Sequence, residues 1–260
     1  MPRALFFDID GTLWDFKNYI PDSTREAIRL LKANGHLVFL CSGRCRAYIQ
    51  NPDLLGLGFD GIVSGCGTMV EYQGRRLFHK TIPSGLAVRT VETVRKYGFR
   101  PILEGTDHLY LDRHEFGQDA YGEKVIREMG DRLLPITELW GQWEISKLSC
   151  ATNDADRESC FAELKEDYDY IIHNENVVEM VPKGFHKGTG IQKVCEILEI
   201  VPADTLAFGD SVNDLGMFST AGISVAMGNG SDAAKAAASY VTSPLLEDGI
   251  YNACRHFGLI

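Results

Sequence analysis

The stretch ALFFDIDGTL, residues 4–13, joins four apolar residues to a turn that carries two carboxylates one residue apart, a glycine and a threonine. An unbroken apolar run of this length predicts a strand buried on both faces, as in parallel sheets. Asp8 and Asp10 then stand where that strand ends. Gly11 permits a tight exit from it, with Thr12 beside it.

Outward from this strand the chain alternates. PDSTREAIRLLKANG (21–35) reads as a helix with Asp22 and Ser23 as candidate caps and a stop at Gly35. HLVFLCS (36–42) reads as a second buried strand and FDGIVSGCG (59–67) as a third. MVEYQGRRLFHKTI (69–82) reads as a hairpin turning at Gln73-Gly74. The rhythm returns from Lys187 to the C-terminus, as KGTGIQKVCEILEI, TLAFGD, NDLGMFSTAG, ISVAMG, SDAAKAAAS, YVTS and LEDGIYNACRHFG. Between these blocks it changes to helices and short strands, ending in ISKLSCATN and DYIIHNENVVEMVP. Alternating strands and helices imply parallel pairing. The expected fold is therefore α/β, a doubly wound, mainly parallel Rossmann-like sheet built by residues 1–82 and 182–260, with an inserted α+β domain over 83–181.

Composition narrows the function. The 260 residues are 45% hydrophobic, enough for one large core or two modest ones, and the formal net charge is −10. That charge argues against nucleic acid, whose phosphates are bound by basic surfaces. No apolar stretch approaches the roughly 20 residues of a bilayer span, and no signal-peptide pattern opens the chain, so no membrane partner and a cytoplasmic protein, monomer or homodimer, are expected. The seven cysteines are scattered, without CxxC spacing, and read as reduced structural thiols.

An anionic substrate in so acidic a chain requires local cations. Ligands of doubly wound sheets bind where loops leave the carboxyl ends of the strands. Those positions hold Asp8 and Asp10 after the first strand, Ser42, Gly43 and Arg44 after the second, and Asp210 after TLAFG, with Asn213 and Asp214 on the next turn. Lys187 opens the helix before that last strand. Carboxylates, a hydroxyl and an ammonium at one edge suit a magnesium and phosphate site, since magnesium prefers hard oxygen ligands and shares substrate phosphates.

DIDGT, CSGR, HKGTGI and GDSVND stand in the order and strand contexts of the four motifs of the haloacid dehalogenase (HAD) superfamily, and the chain is identified as a member of it. The stretch LAFGDSVNDLGMFSTAGISVAMGNGSDAAKAAASYVTSPLLEDGI resembles the C-terminal signature of the Cof-type phosphatases, and the insert resembles the family's type 2 cap. The resemblance implies a magnesium-dependent phosphatase in which Asp8 forms an aspartyl-phosphate and Asp10 serves as general acid and base. It implies metal ligation by Asp8, the Asp10 carbonyl and Asp210, with Asp214 direct or through water. Lys187 and Ser42 would hold the transferring phosphoryl group, Asn213 would position it or Lys187, and Gly43 and Arg44 would add contacts. The implied substrate is a small phosphorylated metabolite such as a sugar phosphate, admitted beneath the cap. A sugar phosphomutase and a catalytically idle metabolite binder are the alternatives. Gly190 and Gly230 replace the family's usual alanine, an expected cost of up to about 1 kcal/mol each if helical.

Each residue also has a plain reading. Alone, Asp8 and Asp10 are solvated turn residues, Ser42 a helix cap and Lys187 a surface charge. The ordered combination at predicted strand ends favours the site. Glu104, Lys147 and Glu179 are polar candidates in the insert, set against solvated side chains. His108, Asp112 and His114 fit no common zinc spacing and read as loop residues, while Trp140 and Trp143 read as core.

Overall fold

A computed structural model describes residues 3–117 and 119–260. The first half of the chain runs β1 (Ala4–Phe7), α1 (Asp22–Ala33), β2 (Leu37–Cys41), α2 (Pro52–Leu55), β3 (Gly61–Ser64), β4 (Met69–Tyr72), β5 (Arg75–His79), α3 (Ser84–Lys96), β6 (Arg100–Glu104), β7 (Leu109–Tyr110), α4 (Ala120–Met129) and β8 (Leu133–Leu134). The second half runs β9 (Lys147–Ala151), α5 (Arg157–Leu164), β10 (Tyr168–Ile172), β11 (Val177–Pro182), α6 (Lys187–Leu198), β12 (Thr205–Gly209), α7 (Leu215–Phe218), β13 (Ile223–Ala226), α8 (Asp232–Ala237), β14 (Tyr240–Val241) and α9 (Gly249–His256). No helix among the described residues is long and apolar enough to cross a membrane.

Two compact units result. The first comprises Met1–Gly43, Gln50–Phe78 and His186–Ile260. Its sheet has the order β14-β13-β12-β1-β2-β3-β4-β5. Every pairing from β14 to β3 is parallel, and β4 returns antiparallel on β3. The chain builds outward from β1 through β2 to β3, then resumes on the other side of β1 with β12. The β1–β12 boundary is thus the topological switch point, where such sheets bind ligands.

Strand periodicity sends Phe6 to one face with Phe39, Cys41 and Val63, beneath Ile191 and Val194 of α6 and Met217 of α7. Phe7 stacks on Phe208 at 4.6 Å and Phe6 on Phe39 at 5.0 Å. All four rings are fully buried, each contributing about 1.5–3 kcal/mol by leaving water. α1 packs against α9 and β2 through a face that buries Ala27, Ile28 and Leu31. Its N-cap is Pro21, with no side-chain cap, so Asp22 and Ser23 do not serve as expected; Asp22 instead places an acid in the first turn, where it suits the helix dipole.

The second unit comprises Arg44–Ile49 and His79–Phe185. Its sheet runs β10-β11-β9-β6-β7-β8, antiparallel except for β7 with β8. The stretch read as DYIIHNENVVEMVP divides into a hairpin, because Asn174 turns back to receive the Asn176 amide and His173 donates to the Val177 carbonyl. The unit differs from the expected 83–181 by a few residues at each end, and it takes Arg44–Ile49 from the stretch assigned to the core. Cys45 and Ala47 explain the transfer, since both are buried with Ile102, Leu109 and Leu111.

Trp143 is core as expected and donates to the Ile136 carbonyl, whereas Trp140 lies edge-on to it and is 40% exposed. Asp112 holds Arg95 at 2.7 Å and caps Thr137, a structural tie. Glu104, Lys147 and Glu179 are not solvated. Lys147 lies buried on β9, 2.6 Å from Glu179 and 3.4 Å from its cross-strand partner Glu104, and His173 adds a contact of 3.0 Å to Glu179. Burial would raise the Glu179 carboxyl, but Lys147 and His173 outweigh it and hold the group well below the usual carboxylate range.

Candidate active site

The register of β1 with β12 and β2 brings the ends of three strands together: Phe7 is level with Phe208 and Leu40. Asp8 follows directly from β1, its amide donating to the Phe208 carbonyl at 2.9 Å, and its side chain is buried. Asp10, where the turn opens, is exposed. One carboxylate is thereby withdrawn from water and the other left in it.

Lys187 reaches this edge from the first position of α6. The helix starts there because His186 caps it: the imidazole Nδ1 accepts from the Gly188 amide, and the Thr189 hydroxyl accepts from the His186 amide. The lysine is buried and meets three acceptors, Asp8 Oδ1 and Asp214 Oδ1 at 2.6 Å and Asn213 Oδ1 at 3.0 Å. An ammonium has three N–H donors, so these acceptors match its capacity. Burial alone would depress its pKa, but Asp214 and Asp8 prevail and keep it charged.

Asp214 has no exposure. Its Oδ1 takes the lysine, and its Oδ2 accepts the amides of Asp210 at 2.8 Å and Ser211 at 2.9 Å. Both oxygens are therefore engaged in holding Lys187 and the loop after β12. Asp210 accepts from the Thr12 hydroxyl at 3.1 Å. Gly11 is left-handed at φ 80°, and a β-carbon there would lie 2.5 Å from an Asp210 oxygen, so this glycine admits the carboxylate.

Burial raises the Asp8 carboxyl well above its usual range; Lys187 opposes this, and Asp214, Asp210 and Asp10 add to it. Burial and Asp214 likewise push Asp210 up to about 6. Several carboxylates share one ammonium, an imbalance that a cation relieves. Oxygens of Asp8, Asp210 and Asp214 lie within 4.8 Å of one another, all of the hard type that suits magnesium, so the donor set fits a divalent metal.

Of the expected site residues, Asp8, Lys187, Asp210, Asn213 and Asp214 converge by direct contacts. Ser42 is buried at the end of β2, its amide donating to Val63, with Gly43 next in the chain. Arg44 belongs to the second unit, where its guanidinium lies 4.7 Å from the Tyr48 ring centroid. Sequence reading passed over Asn229, which donates to the Gly11 carbonyl and accepts from the Leu245 amide, tying the turn after β1 to the C-terminal region. It also passed over Trp14, whose indole donates to Asp10 at 2.9 Å.

Gly190 is helical, but its glycine answers a packing demand. A β-carbon there would lie 2.9 Å from the Gly67 α-carbon and against Val63, so α6 and the turn after β3 approach backbone to backbone. Gly190→Ala is expected to lower stability by about 1–3 kcal/mol despite its better helix propensity, because the site is overpacked. Denaturant unfolding checks this, and a variant more stable than the native chain would refute it. Gly230 precedes α8, where a β-carbon would meet the Asp210 carbonyl at 2.8 Å, so no helix propensity is at stake.

Comparison with known proteins agrees with this arrangement. Residues 5–254 match the haloacid dehalogenase-like hydrolase family. YkrA of Bacillus subtilis (strain 168) is 33% identical over 99% of this chain and 98% of its own. The same organism's 5-amino-6-(5-phospho-D-ribitylamino)uracil phosphatase YitU is 28% identical over 96% of this chain and 95% of its own. A solved sugar phosphatase of HAD subclass IIB superposes with a TM-score of 0.84 at 28% identity, covering 99% of this chain and 100% of that one. Because likeness in sequence and in fold extends over nearly the full length, and the acidic strand end with its buried lysine sits at the switch point, this chain belongs to the haloacid dehalogenase-like hydrolases and is one of their phosphatases.

Proposed function

We propose that the protein is a magnesium-dependent phosphatase of small phosphorylated metabolites, sugar or polyol phosphates above all, working through an aspartyl-phosphate on Asp8. The observation that carries this reading is the buried Lys187, held between Asp8 and Asp214 beside Asp210. Asp8 attacks phosphorus, and the bond to the ester oxygen breaks as Asp10 delivers a proton to that oxygen. Asp10 then removes a proton from the water that attacks the phospho-aspartate, which regenerates Asp8 and releases inorganic phosphate. Lys187 gives up part of its contact with the carboxylates to meet the phosphoryl oxygens, and Ser42 and the Gly43 amide add donors.

Asp8, the Asp10 carbonyl and Asp210 would hold the metal. Asp214, which also keeps Lys187 and the Asp210 amide in place, would join them directly or through water. When bound, the cation supplies positive charge against the crowded phosphoryl and carboxylate oxygens. The insert serves as the cap that limits substrates to small molecules, a role supported by likeness to phosphatases of a ribityl phosphate and of sugars. Seven buried free thiols suit a reducing cytoplasm.

The test is inorganic phosphate release from a panel of sugar and polyol phosphates, p-nitrophenyl phosphate and a phosphopeptide, by chelator-treated protein before and after adding magnesium. Release is expected only with the metal and fastest from a small ester. Equal release with chelator present would remove the metal from the reaction, and fastest release from the phosphopeptide would overturn the substrate class.

A further inference from the structure

Asp10 is exposed, and an exposed carboxylate is free to rotate unless something holds it. The turn DIDGTLW (8–14) places a tryptophan four residues beyond Asp10, and three features fix that tryptophan in turn. Trp14 is 3% exposed, its amide donates to the Ile9 carbonyl, and its carbonyl accepts from the Gly11 amide at 2.9 Å. Beyond it, the Asp15 carboxylate accepts the amides of Lys17 and Tyr19, so the segment folds back on itself and closes the turn. From this buried mount the indole Nε1–H reaches Asp10 Oδ1 at 2.9 Å.

We propose that Trp14 is a positioning residue for the acid and base step, an inference that rests on the role given to Asp10 above. Indole nitrogen is a donor only. It therefore accepts no proton from Asp10 and engages Oδ1 as an acceptor whether the carboxyl carries its proton or not. The exchangeable proton is directed to Oδ2. In the first half-reaction it passes from Oδ2 to the ester oxygen as the bond from that oxygen to phosphorus breaks. In the second a proton from the attacking water returns to Oδ2 as the bond from Asp8 to phosphorus breaks. No further reactant is required. A histidine or hydroxyl at this place could exchange roles with the carboxyl; an indole can only donate to it. Its contact with the charged form is also charge-assisted, which favours one orientation of the carboxyl between turnovers.

The test uses leaving groups, because a good one departs without an acid. The quantity compared is kcat/KM, which reports the steps through ester cleavage, for p-nitrophenyl phosphate and for the alkyl phosphate hydrolysed fastest in the panel. Asp10→Asn should lose on the order of 10²-fold more on the alkyl ester than on the aryl one. Trp14→Phe keeps the aromatic packing without the N–H and should show the same bias at about 10-fold. Melting temperature is measured alongside. If Trp14→Phe does not fold, 3-benzothienylalanine at position 14 replaces it, keeping the bicyclic shape with sulfur in place of N–H. A bias in Asp10→Asn with none in the position-14 variant, or equal loss on both esters, overturns the positioning role while leaving Asp10 as the acid. No bias in Asp10→Asn overturns the acid role and the inference with it. Bias in both variants supports both.

Discussion

Asp8→Asn is expected to abolish phosphate release, by on the order of 10⁴-fold or more, while leaving the melting temperature unchanged or slightly raised. Loss of a covalent nucleophile costs rates of this order, and an amide oxygen does not replace it. The stability half follows from the sign of the carboxyl's shift. A folded-state pKa raised above the unfolded value means that the native state binds the proton more tightly, so stability falls as pH rises from the unfolded value toward the folded one. At neutral pH and without metal the Asp8 carboxylate is therefore a burden on the fold. The amide removes that burden, its oxygen still accepts from Lys187, and the lysine is left with Asp214 as a one-to-one pair. Phosphate release and thermal melts of metal-free protein check both halves. Residual turnover above about a hundredth of the native rate would sink the nucleophile, given the size of the loss expected. A marked drop in melting temperature would show instead that the charge of Asp8 is needed to hold Lys187.

This opposition between activity and stability bears on what could be read from the sequence. Strand-end positions were legible because parallel topology dictates where loops collect, and that alone nominated Asp8, Ser42 and Asp210. Lys187 followed from its place at a helix start. The ties that hold these groups were not legible. Trp14 meets Asp10 across an irregular turn with no period to betray it, and Asn229 joins Gly11 to Leu245 across most of the chain. Periodicity reports which face of an element is buried, whereas such contacts depend on how elements are placed.

Local chemistry misled for the same reason. Gly190 looked like a helix defect because propensity is local, yet the approach of Gly67 makes the glycine necessary. The domain boundary near Arg44 was missed because the chain runs on directly from Ser42 and Gly43. Cys45 and Ala47 carry the chain into the other unit, where their burial outweighs the sequence adjacency. Glu104, Lys147 and Glu179 read as solvated because charged residues usually are, but strand pairing sets Lys147 opposite Glu104, and it also reaches Glu179, which pairs with Ser149.

Lys187→Met should give the largest loss of stability of any single change in the site. The variant keeps an unbranched stem at the first position of α6 but strands two buried carboxylates, Asp8 and Asp214, without their shared cation. Removing one partner from a buried ionic cluster costs about 3–5 kcal/mol, which corresponds to roughly 10 °C in melting temperature for a chain of this size. Added magnesium should recover part of that loss, because it supplies charge to the same carboxylates. Activity should remain about 10³-fold down, because the donor aimed at the phosphoryl oxygens is absent. The double variant Asp8→Asn with Lys187→Met then separates the two functions of the lysine. With Asp8 already neutral only Asp214 is left uncompensated, so the double variant should melt above Lys187→Met alone, a non-additivity of the kind expected for groups in direct contact. If Lys187→Met melts like the native protein without metal, the lysine does not balance those carboxylates. If the double variant melts below the single one, Asp8 was stabilising after all, and the sign argued for it is reversed.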